Sequence, residues 1–189
     1  MSDNLNTEVL FCEYSVSKSS YIVELYGLID ELSSALSFVL FYSGKMKIEQ
    51  KIIDLLEETN QFLSKKIIPD ISYVYFNSPY RHSQYDIKSW SELEEKFASI
   101  SKDKKNMGFV SHWSNEIALW LNEARVRARK IERHMVSAGQ NGKHIVEIQN
   151  SECALTNWLC CSKNWKKMID FFNKMSTFMF KIGVELNGE

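Results

Sequence analysis

The chain has 189 residues, a formal net charge of −1, 44% hydrophobic and 25% charged residues, and only seven glycines and two prolines. This composition excludes a disordered or fibrous protein and predicts one domain over residues 1–189, with a sizeable core and long regular elements. The near-neutral balance gives no general pull toward nucleic acid or an anionic membrane, so any cationic site must be local.

In chain order, Ser19 or Ser20 can cap a first helix running to about Phe41, with apolar positions Ile22, Leu25, Ile29, Leu32, Leu36 and Val39. Ser43-Gly44 ends it. A second helix is expected from about Lys47 to Ile68, with Ile48, Ile52, Leu55, Leu56, Phe62 and Leu63 facing inward and Pro69 as its stop. Residues 70–86, rich in Tyr, Ser and Asn, are the least regular part, and Ile71 to Phe76 is the one strand-like run. A shorter helix fits Ser89 to Ile100, followed by a polar loop from Lys102 to Gly108. A long helix fits Ser114 to Ala138, with Gly139 and Asn141-Gly142 as a turn. Two helical segments follow, around Ser151 to Cys161 and Lys166 to Leu186; in the second, Met168, Phe171, Phe172, Met175, Phe178, Met179 and Ile182 form a core stripe. The pattern predicts an all-α bundle.

The N-terminus, M-S-D-N-L-N-T-E, has neither a basic n-region nor an apolar h-region, and no apolar run reads as a bilayer span. A soluble, cytoplasmic protein with no nucleic-acid or membrane partner is expected. Cys12 stands apart from Cys153, Cys160 and Cys161, and His82, His112, His134 and His144 are scattered. Without C-x-x-C or H-x-x-x-H spacing, the cysteines read as reduced and structural, and no metal site is expected.

The most informative segment is A-R-V-R-A-R-K-I-E-R, Ala124 to Arg133. Ile117, Leu121, Ala124, Ala128, Ile131 and Met135 make one buried stripe. Arg125, Arg129 and Arg133 recur at every fourth position beside it, with Glu132 close to the same line. A cationic row at the edge of a core suits a polyanion such as a triphosphate, because each guanidinium stays charged and donates two parallel hydrogen bonds. The competing reading is a solvated face, a role that Arg127 and Lys130 fit on pattern alone. Asp30-Glu31 interrupts the first helix and suggests a paired arginine, within the chain or across a subunit contact, against a plain solvent-facing acidic pair. Asn173, flanked by aromatics, reads as half-buried and needs a helix partner or a ligand. Phe109, after the loop K-D-K-K-N-M-G, is by pattern a core anchor.

Four blocks in order resemble the ATP:cob(I)alamin adenosyltransferase family of the propanediol-utilisation type. V-S-K-S-S-Y-I-V-E-L-Y-G-L-I-D-E-L-S-S-A-L is similar to its first-helix block, with its lysine at Lys18 and its D-E-L motif at Asp30. W-S-E-L-E-E-K-F followed by F-V is similar to the segment that leads to F-x-L-P-G-G, with the phenylalanine at Phe109. A-R-V-R-A-R-K-I-E-R resembles A-R-x-x-x-R-R-A-E-R, matching Arg125, Arg129, Lys130, Glu132 and Arg133. F-F-N-K-M-S-T-F-M-F resembles Y-L-N-R-L-S-D-x-L-F, matching Asn173. The resemblance implies a ferritin-like up-down five-helix bundle that forms a homotrimer with sites between subunits. It implies transfer of the 5′-deoxyadenosyl group of ATP, with Mg²⁺, to the cobalt of reduced cobalamin or another corrinoid, releasing triphosphate. Lys18, Arg129, Lys130, Glu132, Arg133 and Asn173 would contact ATP. Asp30 and Arg125 would pair across the subunit boundary, and Phe109 would crowd the lower face of the corrin.

Three stretches depart from the family pattern. Residues 1–18 carry N-L-N-T-E-V-L-F in place of a T-R-T-G-D-x-G-type phosphate loop; Ser111 to Trp113 replace P-G-G; and Lys174 and Thr177 replace arginine and aspartate. Two classes therefore stand open: a divergent adenosyltransferase, and a non-catalytic relative that binds corrinoid or nucleotide or assembles with a standard enzyme.

Overall fold

The computed structural model describes residues 6–8, 15–45, 48–76, 87–104, 108, 110–141 and 154–188. A short antiparallel pair, β1 (Asn6–Glu8) with β2 (Ser15–Ser17), precedes the helices. The helices are α1 (Tyr21–Ser43), α2 (Gln50–Phe62), α3 (Ile68–Phe76), α4 (Ile87–Ser101), α5 (Glu116–Asn141) and α6 (Ala154–Asn187). A π-helical turn, Leu63–Ile67, joins α2 to α3 without a break, so the described helices make five rods, the number that the resemblance implies, where the periodicity alone divides the chain into six segments.

The predicted stripes are the core. Ile22, Leu25, Ile29, Leu32, Leu36 and Val39 of α1 are buried, as are Ile117, Leu121, Ala124, Ala128, Ile131 and Met135 of α5 and all seven predicted α6 positions. Helix α5 runs antiparallel to α1, which fixes the pairs Tyr21 with His134 and Phe38 with Trp120. It also runs antiparallel to α6, where Trp165 Nε1 donates to the Met135 carbonyl at 3.0 Å. A Cβ on Gly183 would stand 3.2 Å from the Trp113 ring, so this glycine is what lets the chain entering α5 lie against α6. Asn115 caps α5, its Oδ1 accepting from Ala118 N–H at 2.8 Å.

Four sequence expectations change. Pro69 does not stop the second rod. A proline cannot donate to the carbonyl four residues back and clashes with it, and the π turn immediately before Pro69 widens the helix enough to carry it through. Ile71 to Phe76 is therefore helix rather than strand. Gly139 lies within α5 instead of ending it. The last two helical segments are one 34-residue helix, because nothing in Ser162 to Trp165 breaks the periodicity. Helix α1 also has the length and hydropathy of a membrane span, with a mean of 1.3 over its most apolar window, which the sequence reading passed over. Its apolar stripe is packed inside the bundle.

Candidate functional site

The central element is α5, and it has two seams. On the α1 side, Arg127 Nη1 donates to Glu31 Oε2 at 2.6 Å and Arg127 Nη2 lies 2.8 Å from Glu123 Oε1. Lys130 Nζ lies 3.9 Å from the same Glu31 oxygen. This corrects the reading of Arg127 as a solvated cation: it ties α1 to α5. The arginine partner anticipated for Asp30-Glu31 exists within the chain, and Glu31 is the residue that takes it. Asp30 is exposed and, among the described residues, makes no ion pair.

On the α6 side, Arg129 Nη1 donates to Asn173 Oδ1 at 2.6 Å and lies 2.5 Å from Glu132 Oε2. Glu132 is largely buried, whereas Asn173 is exposed rather than half-buried. Its oxygen is taken by Arg129, and among the described residues the Nδ2 of this exposed amide makes no hydrogen bond, which leaves two N–H donors for a ligand. The backbone beneath it is braced, since the Asn173 carbonyl accepts from Ser176 Oγ at 2.7 Å and from Thr177 Oγ1 at 3.1 Å. Thr177 thus stands where the family pattern has an acid and supplies a hydroxyl to the helix instead.

Arg125 is one turn earlier on the row. Its Nε donates to Asn122 Oδ1 at 2.9 Å, and its guanidinium lies 5.6 Å from the Phe180 ring centroid. Burial first, and the neighbouring Arg129 charge second, lower the Arg125 pKa below its ordinary value. No carboxylate pairs with it among the described residues. Arg133 and Lys18 are exposed and likewise without an ion-pair partner there. Among the described residues, Arg125, Arg129 and Arg133 make one ion pair between them, that of Arg129 with Glu132, an excess of positive charge beside an exposed amide. Such a surface receives a multiply charged anion.

Phe109 lies outside the described residues. The segment after it is fastened to the end of α6: Ser114 N–H donates to Asn187 Oδ1 at 2.6 Å, Asn187 Nδ2 to the His112 carbonyl at 3.1 Å, and Asn115 Nδ2 to the Leu186 carbonyl at 2.7 Å. Before it, Lys104 pairs with Glu185, also on α6. The sequence reading missed these clasps, as it missed Glu94, a buried acid on α4 whose Oε2 accepts from Lys167 at 2.6 Å and Lys174 at 2.7 Å of α6. Single Asn and Glu residues carry no periodic signal, so only contact identifies them.

A family described as cobalamin adenosyltransferase matches residues 2–186, nearly the whole chain. No curated protein matches it significantly.

Proposed function

The chain belongs to the cobalamin adenosyltransferase family, and we propose that it binds ATP on the α5–α6 face and transfers the 5′-deoxyadenosyl group to the cobalt of a reduced corrinoid. The observation that carries this reading is the under-neutralised row Arg125, Arg129 and Arg133 beside the outward amide of Asn173. The reaction asks little covalent chemistry of the protein. Cobalt(I) is the nucleophile, the 5′ carbon of ATP is attacked, and triphosphate leaves with the bonding electrons. The protein must place the two substrates and stabilise the charge that accumulates on triphosphate. Arg129, with Lys18 and Arg133, supplies cations for that charge, whereas Lys130 lies toward Glu31 on the α1 side. Glu132 and Asn173 hold Arg129 in one orientation, and Asn173 donates to the nucleotide. Mg²⁺ accompanies ATP as part of the substrate.

We further propose a homotrimer in which Asp30 of one copy meets Arg125 of the next. Neither residue has a charged partner among the described residues, and Phe38, Phe41, Leu119 and Val126 are 46%, 69%, 52% and 40% exposed on the same two helices. An exposed apolar set of that kind is what an interface covers. Sedimentation should give about three times the 22.1 kDa chain mass; a monomer at micromolar concentration refutes the shared site. Phe109 is assigned to the lower face of the corrin. Phe109→Ala should slow adenosylation about tenfold or more while leaving ATP affinity unchanged.

The deciding test is calorimetric titration with ATP and Mg²⁺, followed by absorption spectroscopy with reduced corrinoid. Binding together with a new adenosylcorrinoid spectrum supports the transferase. Binding without a spectral change supports the non-catalytic relative, and no binding refutes an ATP site.

A further inference from the structure

Where the family pattern has P-G-G, this chain has Ser111, His112 and Trp113, so a large ring stands in place of a bare backbone. The fold gives that ring a seat. Gly183 of α6 is buried, and a Cβ there would stand 3.2 Å from Cζ3 and 3.5 Å from Cη2 of the Trp113 indole, so the indole lies on backbone that no other residue would leave bare. The main chain on both sides of Trp113 is fixed. The His112 carbonyl accepts from Asn187 Nδ2 at 3.1 Å, and Ser114 N–H donates to Asn187 Oδ1 at 2.6 Å. Trp113 is thereby a fastened part of the entry into α5.

The indole reaches one further residue. Phe180, one turn before Gly183 on α6, meets it in a T-shaped contact, with ring centroids 6.4 Å apart and an interplanar angle of 82°. The same Phe180 ring carries the Arg125 guanidinium, whose carbon lies 5.6 Å from the ring centroid. Arg125 has few other restraints. Its Nε donates to Asn122 Oδ1, and among the described residues its two terminal nitrogens make no hydrogen bond and no ion pair. Burial and the Arg129 charge both work against its cation. The Phe180 ring is what opposes them. A phenylalanine on a helix flank can turn between rotamers, and the indole packed beside this one removes that freedom.

We propose that Trp113 is a positioning residue for Arg125, acting through Phe180: the indole holds the ring, and the ring holds the guanidinium with its terminal nitrogens open to a partner. That the partner is the Asp30 carboxylate of a neighbouring copy, beside a bound nucleotide, rests on the proposed function; the positioning itself does not. The departure from P-G-G thus replaces a glycine with an anchor for the arginine row.

The test reads Arg125 directly. In an isotope-labelled full chain, the Arg125 Nε–H resonance is identified by its loss in Arg125→Ala, and its heteronuclear NOE reports how freely the group moves. Wild type should show an ordered Arg125 group, Trp113→Ala a mobile one, and Trp113→Phe, which keeps an aromatic ring beside Phe180, an ordered one again. Calorimetric titration with ATP and Mg²⁺ supplies the functional arm. Trp113→Ala should weaken ATP binding about fivefold, the scale of one aromatic pair, and should add nothing to Arg125→Ala in the double variant. A merely structural tryptophan would leave the Arg125 resonance as it is and add its own loss to that of Arg125→Ala; either result overturns the proposal. If circular dichroism shows Trp113→Ala unfolded, Trp113→Leu, which keeps apolar bulk on Gly183 without an aromatic ring, decides by the same two readouts. A wild type that binds no ATP refutes the proposed function, and the resonance alone then decides the positioning. A wild type that binds ATP, with Arg125 equally ordered in every Trp113 variant, keeps the function and refutes the positioning.

Discussion

The two seams of α5 use the same residue type for opposite ends. Toward α1, Arg127 and Lys130 meet Glu31 and Glu123, two cations against two carboxylates, and the charges cancel within the chain. Along the row Arg125, Arg129 and Arg133, the described residues supply one paired carboxylate, Glu132, and two neutral acceptors, Asn122 and Asn173. A cancelled cluster holds helices together. A cluster with surplus charge is incomplete by itself and is completed by an anion or by another subunit. An arginine-rich helix is therefore informative only once each arginine's counter-charge is known.

The sharpest way to break this comparison is to truncate one arginine from each seam. Arg129→Ala should weaken ATP binding by about 1.5–3 kcal/mol, the loss of a charge-assisted hydrogen bond, with little change in melting temperature. Calorimetry and thermal melting together check this, and equal losses in both quantities would make Arg129 structural. Arg127→Ala should do the converse, costing about 1 kcal/mol of stability because its pairs are partly exposed and screened, with ATP affinity held. Glu31→Ala, which leaves Arg127 and Lys130 with fewer counter-charges, should match Arg127→Ala in a denaturant melt. If instead it tightens ATP binding, the α1 seam also belongs to the site.

The smallest effect concerns the clasp ahead of Phe109. For Lys104, burial works against the charge, but Glu185 and Glu49 outweigh it and raise the pKa above the ordinary lysine value of 10.5. A folded-state pKa raised in this way contributes stability that is full below pH 10.5 and is lost as pH rises through the higher folded value. Lys104→Met should therefore lower stability at neutral pH and flatten the alkaline limb of the stability profile. An unchanged alkaline limb would show that the clasp contributes nothing.

The sequence by itself determined the all-helical class, the buried stripes of α1, α5 and α6 and the arginine row, because helical periodicity is local and survives without knowledge of neighbours. Ile117 to Met135 and Met168 to Ile182 could be placed in the core for that reason. Only the tertiary structure decided the pairing. Glu31 rather than Asp30 meets an arginine of α5, and Asn173 turns outward with its oxygen on Arg129, because helix register and roll bring together residues 96 and 44 positions apart. The passage of the second rod through Pro69 was also beyond the sequence, since a π turn has no residue signature of its own. So was the unsatisfied state of Ser20: a serine before a helix reads as a cap, and only the packed first turn leaves its hydroxyl without a bond.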